Sequence, residues 1–206
     1  MKIRAALLSF VIAGALHAQQ AALDLPAQLT PETRLLLTRL VDSARAVRLP
    51  PEPIVTKVAE GLLKGADEER IVRAARSLVR QLGVAREIMP AGSPTSVLTA
   101  AVSALQAGAS RQTIERLVAA RKGAHEGELA TALVTLTDLA ATGVPTESAG
   151  SAVATLLARG ASAQEYTSLR IAVARDVQVG TPPQDALSAR LPELQSAPVR
   201  SRVPAP

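Results

Sequence analysis

The sequence predicts an all-α protein, and three observations support this fold class. Ala, Leu, Val and Arg dominate the chain, whereas aromatic residues, which favour strands, make up only 1% of it. Gly followed closely by a polar or Pro residue recurs, a pattern typical of one helix ending and another beginning. Apolar residues between these points keep helical spacing. We therefore expect eight or nine short amphipathic helices in antiparallel hairpins, packed as an irregular α-solenoid or superhelical bundle.

Glycine-centred turns divide the chain into helices. Gly can adopt the left-handed conformation that ends a helix, and a following Asp, Ser or Thr can cap the next one. Two sites also predict a capping box, because Glu165 follows Ser162 and Gln184 follows Thr181 by three residues. The five turns are Gly65-Ala66-Asp67, Gly108-Ala109-Ser110, Gly143-Val144-Pro145, Gly160-Ala161-Ser162 and Gly180-Thr181-Pro182.

Two further helix starts are predicted where a hydroxyl residue precedes proline. Thr30-Pro31 and Ser93-Pro94 each place a cap before a Pro at the first helical position, where its missing N–H does no harm. The Pro-rich stretch 49–53 is interpreted as a turn that starts the next helix. Together these signals predict helices over 31–48, 52–64, 67–88, 94–107, 111–122, 126–141, 146–159, 163–178 and 182–190.

Apolar stripes identify the faces that should be buried. The uncharged run from Ile88 to Ser110 is interrupted by Pro and Gly, so it predicts a short buried core helix and not a membrane span. Its stripe and that of a later helix have the spacing of one helical face. The first stripe is Val97, Leu98, Ala101, Val102 and Leu105, and the second is Tyr166, Leu169, Val173 and Val177.

Three segments resemble one another in layout, which suggests an internal repeat. The segments 58–82, 102–121 and 153–173 each place an apolar helix before a Gly-Ala turn, a cap and a second amphipathic helix. We interpret this as a degenerate helical-hairpin repeat within a domain spanning 30–191. The alternative is that Gly-Ala turns simply end helices in an Ala-rich chain. No named repeat signature matches.

The first residues have the layout of a secretory signal. Basic residues precede an apolar run of about a dozen residues, too short to span a membrane, and small residues follow up to Ala18. We expect a signal peptide at 1–18 and a short N-terminal segment at 19–29, with an uncleaved membrane anchor as the alternative. The predicted product is exported, periplasmic or secreted, without a transmembrane segment. The Pro- and Arg-containing end, 192–206, is expected to be a disordered tail.

The sequence lacks the side chains that most catalytic chemistries need. The chain has no Cys, which excludes disulfides, thiol nucleophiles and a lipoprotein anchor, and His125 is the one His after residue 18. His125 lies beside Glu126 and near Glu128, and we interpret this stretch as a solvated turn, with a weak metal site as the alternative. We expect no enzyme activity, no catalytic or metal-binding residues and no cofactor. Nucleic-acid binding is not expected either, because no aromatic stacking platform exists.

Three arginines form the most suggestive surface feature. Arg73, Arg76 and Arg80, here called the Arg ridge, fall within about 60° of one another on a helix. The ridge is a candidate site for an anionic partner, but the favoured interpretation is an ordinary solvated face on which Glu69 pairs with Arg73. The stripe expected opposite to it consists of Ile71, Ala74, Ala75, Leu78 and Leu82.

Taken together, these features predict a non-enzymatic, exported helical-repeat protein. We expect it to bind a macromolecule, either a protein or an envelope component, or to serve as a structural accessory. The alternative is an envelope-associated protein that docks on anionic lipid or polysaccharide through the Arg ridge. An enzyme with His125, Glu126 and Glu128 in a pocket is the third hypothesis.

Overall fold

The protein is all-helical throughout the part of the chain that is described. The structure, a computed structural model, describes residues 25–121 and 126–192, and no strand occurs among them. The predicted fold class is confirmed, and the predicted helix ends agree with the observed ones to within two residues. The helices in these ranges are α1 (Pro31–Ala46), α2 (Glu52–Leu63), α3 (Glu68–Ile88), α4 (Thr95–Gln106), α5 (Arg111–Ala120), α6 (Glu126–Ala141), α7 (Thr146–Ala158), α8 (Ala163–Gln178) and α9 (Pro183–Ser188).

Several predictions fall outside the described residues. These are the signal peptide at 1–18, most of the segment 19–29, His125, and the tail beyond residue 192. They stay predictions.

The five predicted glycine turns all end helices as expected. Their glycines have φ between 67° and 97°, the left-handed region that favours Gly. At Gly108, for example, the Gly N–H donates to the Leu105 carbonyl at 3.1 Å and the Ala109 N–H donates to the Ala104 carbonyl at 3.0 Å. This pair of bonds satisfies carbonyls at the helix end that would otherwise lack a partner. A glycine followed by an apolar residue and a cap therefore marks the end of a helix through local hydrogen bonds.

The end of α1 departs from this pattern. The prediction that this helix continues to Arg48 is wrong, because Arg48 itself adopts the left-handed conformation, with φ 58°. Its N–H donates to the Arg45 carbonyl at 2.9 Å, and the Leu49 N–H donates to the Ala44 carbonyl at 2.9 Å. The turn thus has the hydrogen bonds of the glycine turns, but it carries a side chain where the others carry none.

Most of the predicted caps form. The side chains of Thr30, Asp67 and Ser110 accept the backbone N–H three residues later, at 3.4, 2.8 and 3.0 Å respectively. At the start of α8 the Ser162 N–H donates to the Glu165 carboxylate at 2.7 Å, as the predicted capping box requires. These contacts satisfy N–H groups that the first turn of a helix leaves unpaired.

The two predicted starts at Ser93 and Thr181 are wrong by one residue. Pro94 and Pro182 are the N-caps of α4 and α9, and neither helix has a side-chain cap. Both prolines are extended, with ψ 162° and 136°. At Pro182 the reason is steric, because the following Pro183 disfavours helical backbone in the residue before it. The predicted capping box between Thr181 and Gln184 is therefore not formed.

The helices pack against partners both one and two positions along the chain. Extensive contacts join α4 to α6, α6 to α8 and α5 to α7, with further contacts from α3 to α1 and α5. Consecutive helices also contact each other extensively in α2 with α3, α3 with α4 and α6 with α7. In contrast, α4 and α5 contact each other little, since their main partners are α6 and α7. Alternate helices thus form neighbouring rows: one contains α4, α6 and α8, the other α1, α3, α5 and α7.

The core lies between these rows and contains most of the predicted stripe residues. In α4 and α8 the predicted residues are buried, except that Leu105 and Val177 are partly buried. In α3 the prediction of Ala74 as a core residue is wrong: Ala74 is exposed and Val72 is buried instead. Val72 belongs to the buried core together with Ile71 and Ala75. Within the described ranges, no helix combines the length and apolarity needed to cross a membrane.

Candidate functional site

The Arg ridge is exposed, as the sequence predicted. Arg73, Arg76 and Arg80 all lie on the solvent side of α3. Arg73 forms the predicted i, i+4 pair, with Nη1 3.5 Å from the Glu69 carboxylate. No ion pair in the described part of the chain involves Arg76 or Arg80. The ridge therefore offers two unpaired guanidinium groups on open surface.

The hypothesis built on His125 is not addressed by the structure. His125 and the side chain of Glu126 lie outside the described residues, while Glu128 is partly buried near the start of α6. Among the residues that are described, no group of three or more His, Asp or Glu side chains is placed to hold a metal ion.

Helices α2, α4, α6 and α8 expose strips that carry few unpaired charges. Helix α4 contains no charged residue, and its exposed strip carries Thr, Ser and Gln. The Thr99 hydroxyl donates to the Thr95 carbonyl at 2.9 Å, and the Ser103 hydroxyl donates to the Thr99 carbonyl at 3.1 Å. Their hydrogens are used within the helix, so their lone pairs remain to accept bonds. We call the exposed strips of α2, α4, α6 and α8 the neutral face; its main residues are Thr56, Thr99, Ser103, Gln106, Thr131, Val134 and Thr167.

Two grooves lie on the neutral face. One, of about 400 Å³, lies between α2 and α4 and has Leu78 and Val102 among its lining residues. The other, of about 220 Å³, lies between α6 and α8 and is lined by Thr131, Val134 and Tyr166 among others. Both therefore combine hydroxyl groups with apolar surface.

Most charges on the neutral face are paired with one another. Lys57 lies 2.9 Å from Glu60 within α2, and this hydrogen bond lowers the pKa of Glu60. Asp138 of α6 pairs with Arg170 of α8, and Arg170 lines the second groove. These two pairs leave the face close to neutral. Glu52, which lines the first groove, has no ion pair among the described residues and is the exception.

A third surface depression, larger than the two grooves, lies beside the α1–α2 connection and is basic. A cleft of about 620 Å³ is lined by residues from the α1–α2 connection, the end of α3 and the start of α4. Three arginines line it, and we call it the basic cleft: Arg45, Arg48 and Arg86. Sequence reasoning missed this cluster, because its members belong to α1, a turn and α3. The one feature near the cleft that is visible in the sequence is Arg48 itself, which stands at a left-handed helix end where the other left-handed turns have Gly.

A carboxylate links α5 to α7. Glu147 accepts hydrogen bonds from the Ser110 hydroxyl at 3.0 Å, from Arg116 Nη2 at 2.9 Å and from the Thr113 hydroxyl. These donors, with Thr113 the largest contributor, lower the pKa of Glu147 to about 2. All of its bonds go to neighbouring helices, so Glu147 acts as a structural link and not as a proton donor or acceptor for a substrate.

Comparison with protein families, curated proteins and solved structures finds no match to this chain. Function is therefore inferred from the shape and charge of the surface itself.

Proposed function

We propose that this chain is an exported, non-catalytic helical-repeat protein that binds another macromolecule, or serves as a structural accessory to one, through the neutral face. The observation that carries the proposal is the combination of hydroxyl-lined grooves with few unpaired charges along α2 and α4, where Glu52 at the start of α2 is the exception among the described residues. Away from Glu52, burying this surface takes no unpaired ion out of water, which keeps the desolvation cost low.

The composition of the neutral face suits a protein partner. The centres of protein interfaces are depleted of charged residues and contain well-packed apolar groups. Val134 is 43% exposed on α6, and Ile171 is 63% exposed on α8, one turn after Thr167. The hydroxyl oxygens of Thr99 and Ser103 would accept hydrogen bonds from the partner at the same surface.

Export and the repeat organisation rest on the sequence. The basic start, the short apolar run and Ala18 together favour a cleaved secretory signal. The recurrence of helix, Gly turn and cap favours a repeat, and stacked hairpins typically provide extended binding surfaces. The lack of Cys and the scarcity of His favour binding over catalysis.

The Arg ridge supports a second candidate, in which the protein docks on anionic lipid or polysaccharide of the envelope. Arg76 and Arg80 are exposed and have no ion pair among the described residues. Attraction between exposed guanidinium groups and an anionic surface is screened by salt. Salt sensitivity therefore separates the two candidates.

Both candidate functions can be tested by affinity capture. The tagged full chain is captured from its native envelope fraction with crosslinking, at low and at high salt. One variant, Ser103→Arg with Val134→Arg, adds charge to the neutral face at exposed positions. The other, with Arg73, Arg76 and Arg80 each replaced by Glu, reverses the ridge. The neutral-face proposal predicts a salt-resistant protein partner that the first variant loses and the second keeps.

The opposite pattern would favour the second candidate. If lipid or polysaccharide is recovered only at low salt, and the ridge variant alone abolishes recovery, the Arg ridge is the binding site. If the neutral-face variant recovers the same partner in the same amount as the unchanged chain, the neutral-face proposal is wrong.

A further inference from the structure

Three guanidinium groups from separate parts of the chain converge on the basic cleft. Arg45 lies in the last turn of α1, Arg48 in the turn that follows, and Arg86 in the last turn of α3. Two carboxylates lie nearby: Glu52 lines the cleft, and Asp42 lies 3.2 Å from Arg45 Nη1. Arg48 has no ion pair among the described residues, so positive charge predominates in the cleft.

Arg48 is placed there at a cost. A residue with a side chain is less stable than Gly in the left-handed conformation, by roughly 1 kcal/mol. The five glycine turns avoid this cost, whereas the turn at Arg48 has the same hydrogen bonds and an Arg at φ 58°. A strained residue retained at such a point favours a role for its side chain. That side chain lines the basic cleft.

Arg86 connects the cleft to the strained turn. Its Nη2 donates to the Arg48 carbonyl at 2.7 Å, which ties the end of α3 to the end of α1. Its Nε is buried and has no hydrogen-bond partner in the described part of the chain. The hydrogen bond to the Arg48 carbonyl therefore holds Arg86 in position, while its other N–H groups have no hydrogen-bond partner in the described part of the chain.

The start of α4 adds to the positive potential at the same place. Thr95 is the first residue of α4 and lines the cleft, and its N-cap, Pro94, has no side chain that can cap. The first N–H groups of a helix attract anions. This effect supplements the three arginines and is not the basis of the site.

We propose that the basic cleft binds the phosphate group of a phosphomonoester. Guanidinium groups approaching from different directions match the several oxygens and the double charge of a phosphomonoester. The volume of about 620 Å³ lies in the range of small-molecule sites, so the ligand extends beyond the phosphate itself. Glu52 is positioned to accept a hydrogen bond from a hydroxyl group of that remainder. This inference does not depend on the neutral face.

Isothermal titration of the purified full chain with inorganic phosphate and with glycerol phosphate tests the site, and Arg48→Gly is the informative variant. Gly suits the left-handed backbone at this position, so the variant should keep its fold and unfold at a higher denaturant concentration. It should also bind glycerol phosphate about tenfold more weakly, the loss expected for one charged hydrogen bond. Arg80→Gln is the matched control, because it removes one exposed Arg from α3 outside the cleft.

The expected result is saturable binding that weakens in Arg48→Gly and changes less than twofold in Arg80→Gln. Vesicles of phosphatidic acid in phosphatidylcholine then identify the source of the phosphate. Binding to them that Arg48→Gly loses points to a lipid headgroup, whereas binding of glycerol phosphate alone points to a soluble ligand. The proposal is overturned if the unchanged protein binds neither phosphate compound nor the vesicles, or if the two variants weaken binding equally.

Discussion

Gly150 lies where α7 packs closely on α5, and its replacement by Ala tests that packing. A Cβ at this position would overlap the Cγ2 methyl of Thr113, which is fully buried on α5, and would lie 3.4 Å from Leu136 Cδ1. Gly83, within α3, is a matched control, because a Cβ there would meet nothing within 4 Å. The same substitution is therefore expected to have opposite effects at the two sites.

The magnitudes follow from two competing contributions. Replacing Gly by Ala inside a helix stabilises it by about 1 kcal/mol. Overpacking a filled core costs about 2 kcal/mol. We expect Gly150→Ala to lower the free energy of unfolding by about 1 kcal/mol, and Gly83→Ala to raise it by about 1 kcal/mol.

Thr113→Ser provides the rescue, because it removes the overlapping methyl and keeps the hydroxyl that bonds Glu147. In that background Gly150→Ala should become neutral or stabilising by up to about 1 kcal/mol, which gives a coupling energy of about 1–2 kcal/mol in a double-mutant cycle. Urea unfolding followed by far-ultraviolet circular dichroism measures each value. If Gly150→Ala stabilises the protein as much as Gly83→Ala does, α5 and α7 do not pack as described.

Three further predictions concern single residues. Hydrogen bonds from α5 lower the pKa of Glu147 to about 2. The Glu147 carboxylate therefore stabilises the fold at a pH above the ordinary Glu pKa of about 4.3, and this contribution is lost as the pH falls toward 2. Acid titration of stability should therefore be flatter in Glu147→Gln. Asp67→Ala removes the cap of α3 and should cost about 1 kcal/mol in urea unfolding, whereas Asp67→Asn should cost less. Arg48→Gly should raise the thermal midpoint, since it relieves about 1 kcal/mol of backbone strain; a lower midpoint would contradict the left-handed turn.

The helix boundaries could be predicted because their signals are local. A Gly that ends a helix and an Asp or Ser that caps the next act on the residues beside them, as at Gly108 and Ser110. The prediction failed where the local rule was broken. Arg48 adopts a conformation that its residue type disfavours, so the end of α1 was predicted two residues too late. Ser93 and Thr181 lost their predicted role because a Pro became the cap.

The packing partners could not be predicted from the same signals. The apolar stripe of α4 indicates which side is buried, but not that α6 covers it in preference to α5. Likewise, Gly150 gives no sign in the sequence of its close approach to Thr113. These contacts join helices that are distant in sequence, and periodicity within one helix carries no information about them.

The two arginine clusters also differ in whether the sequence could predict them. The Arg ridge lies on one helix, so helical geometry alone placed Arg73, Arg76 and Arg80 together. The basic cleft joins Arg48 to Arg86, which are 38 residues apart. Only the tertiary fold brings them together, and the sequence therefore pointed to the ridge while missing the cleft.

The neutral face as a binding surface is tested most directly by site-specific photo-crosslinking in intact source cells. A photoreactive side chain is introduced at Ser103 on the neutral face and, in a second strain, at Arg76 on the Arg ridge; both positions are exposed. We predict a discrete crosslinked protein product from position 103 and none from position 76. A product from position 76 alone, or none from either, would contradict the proposal that the neutral face binds a partner.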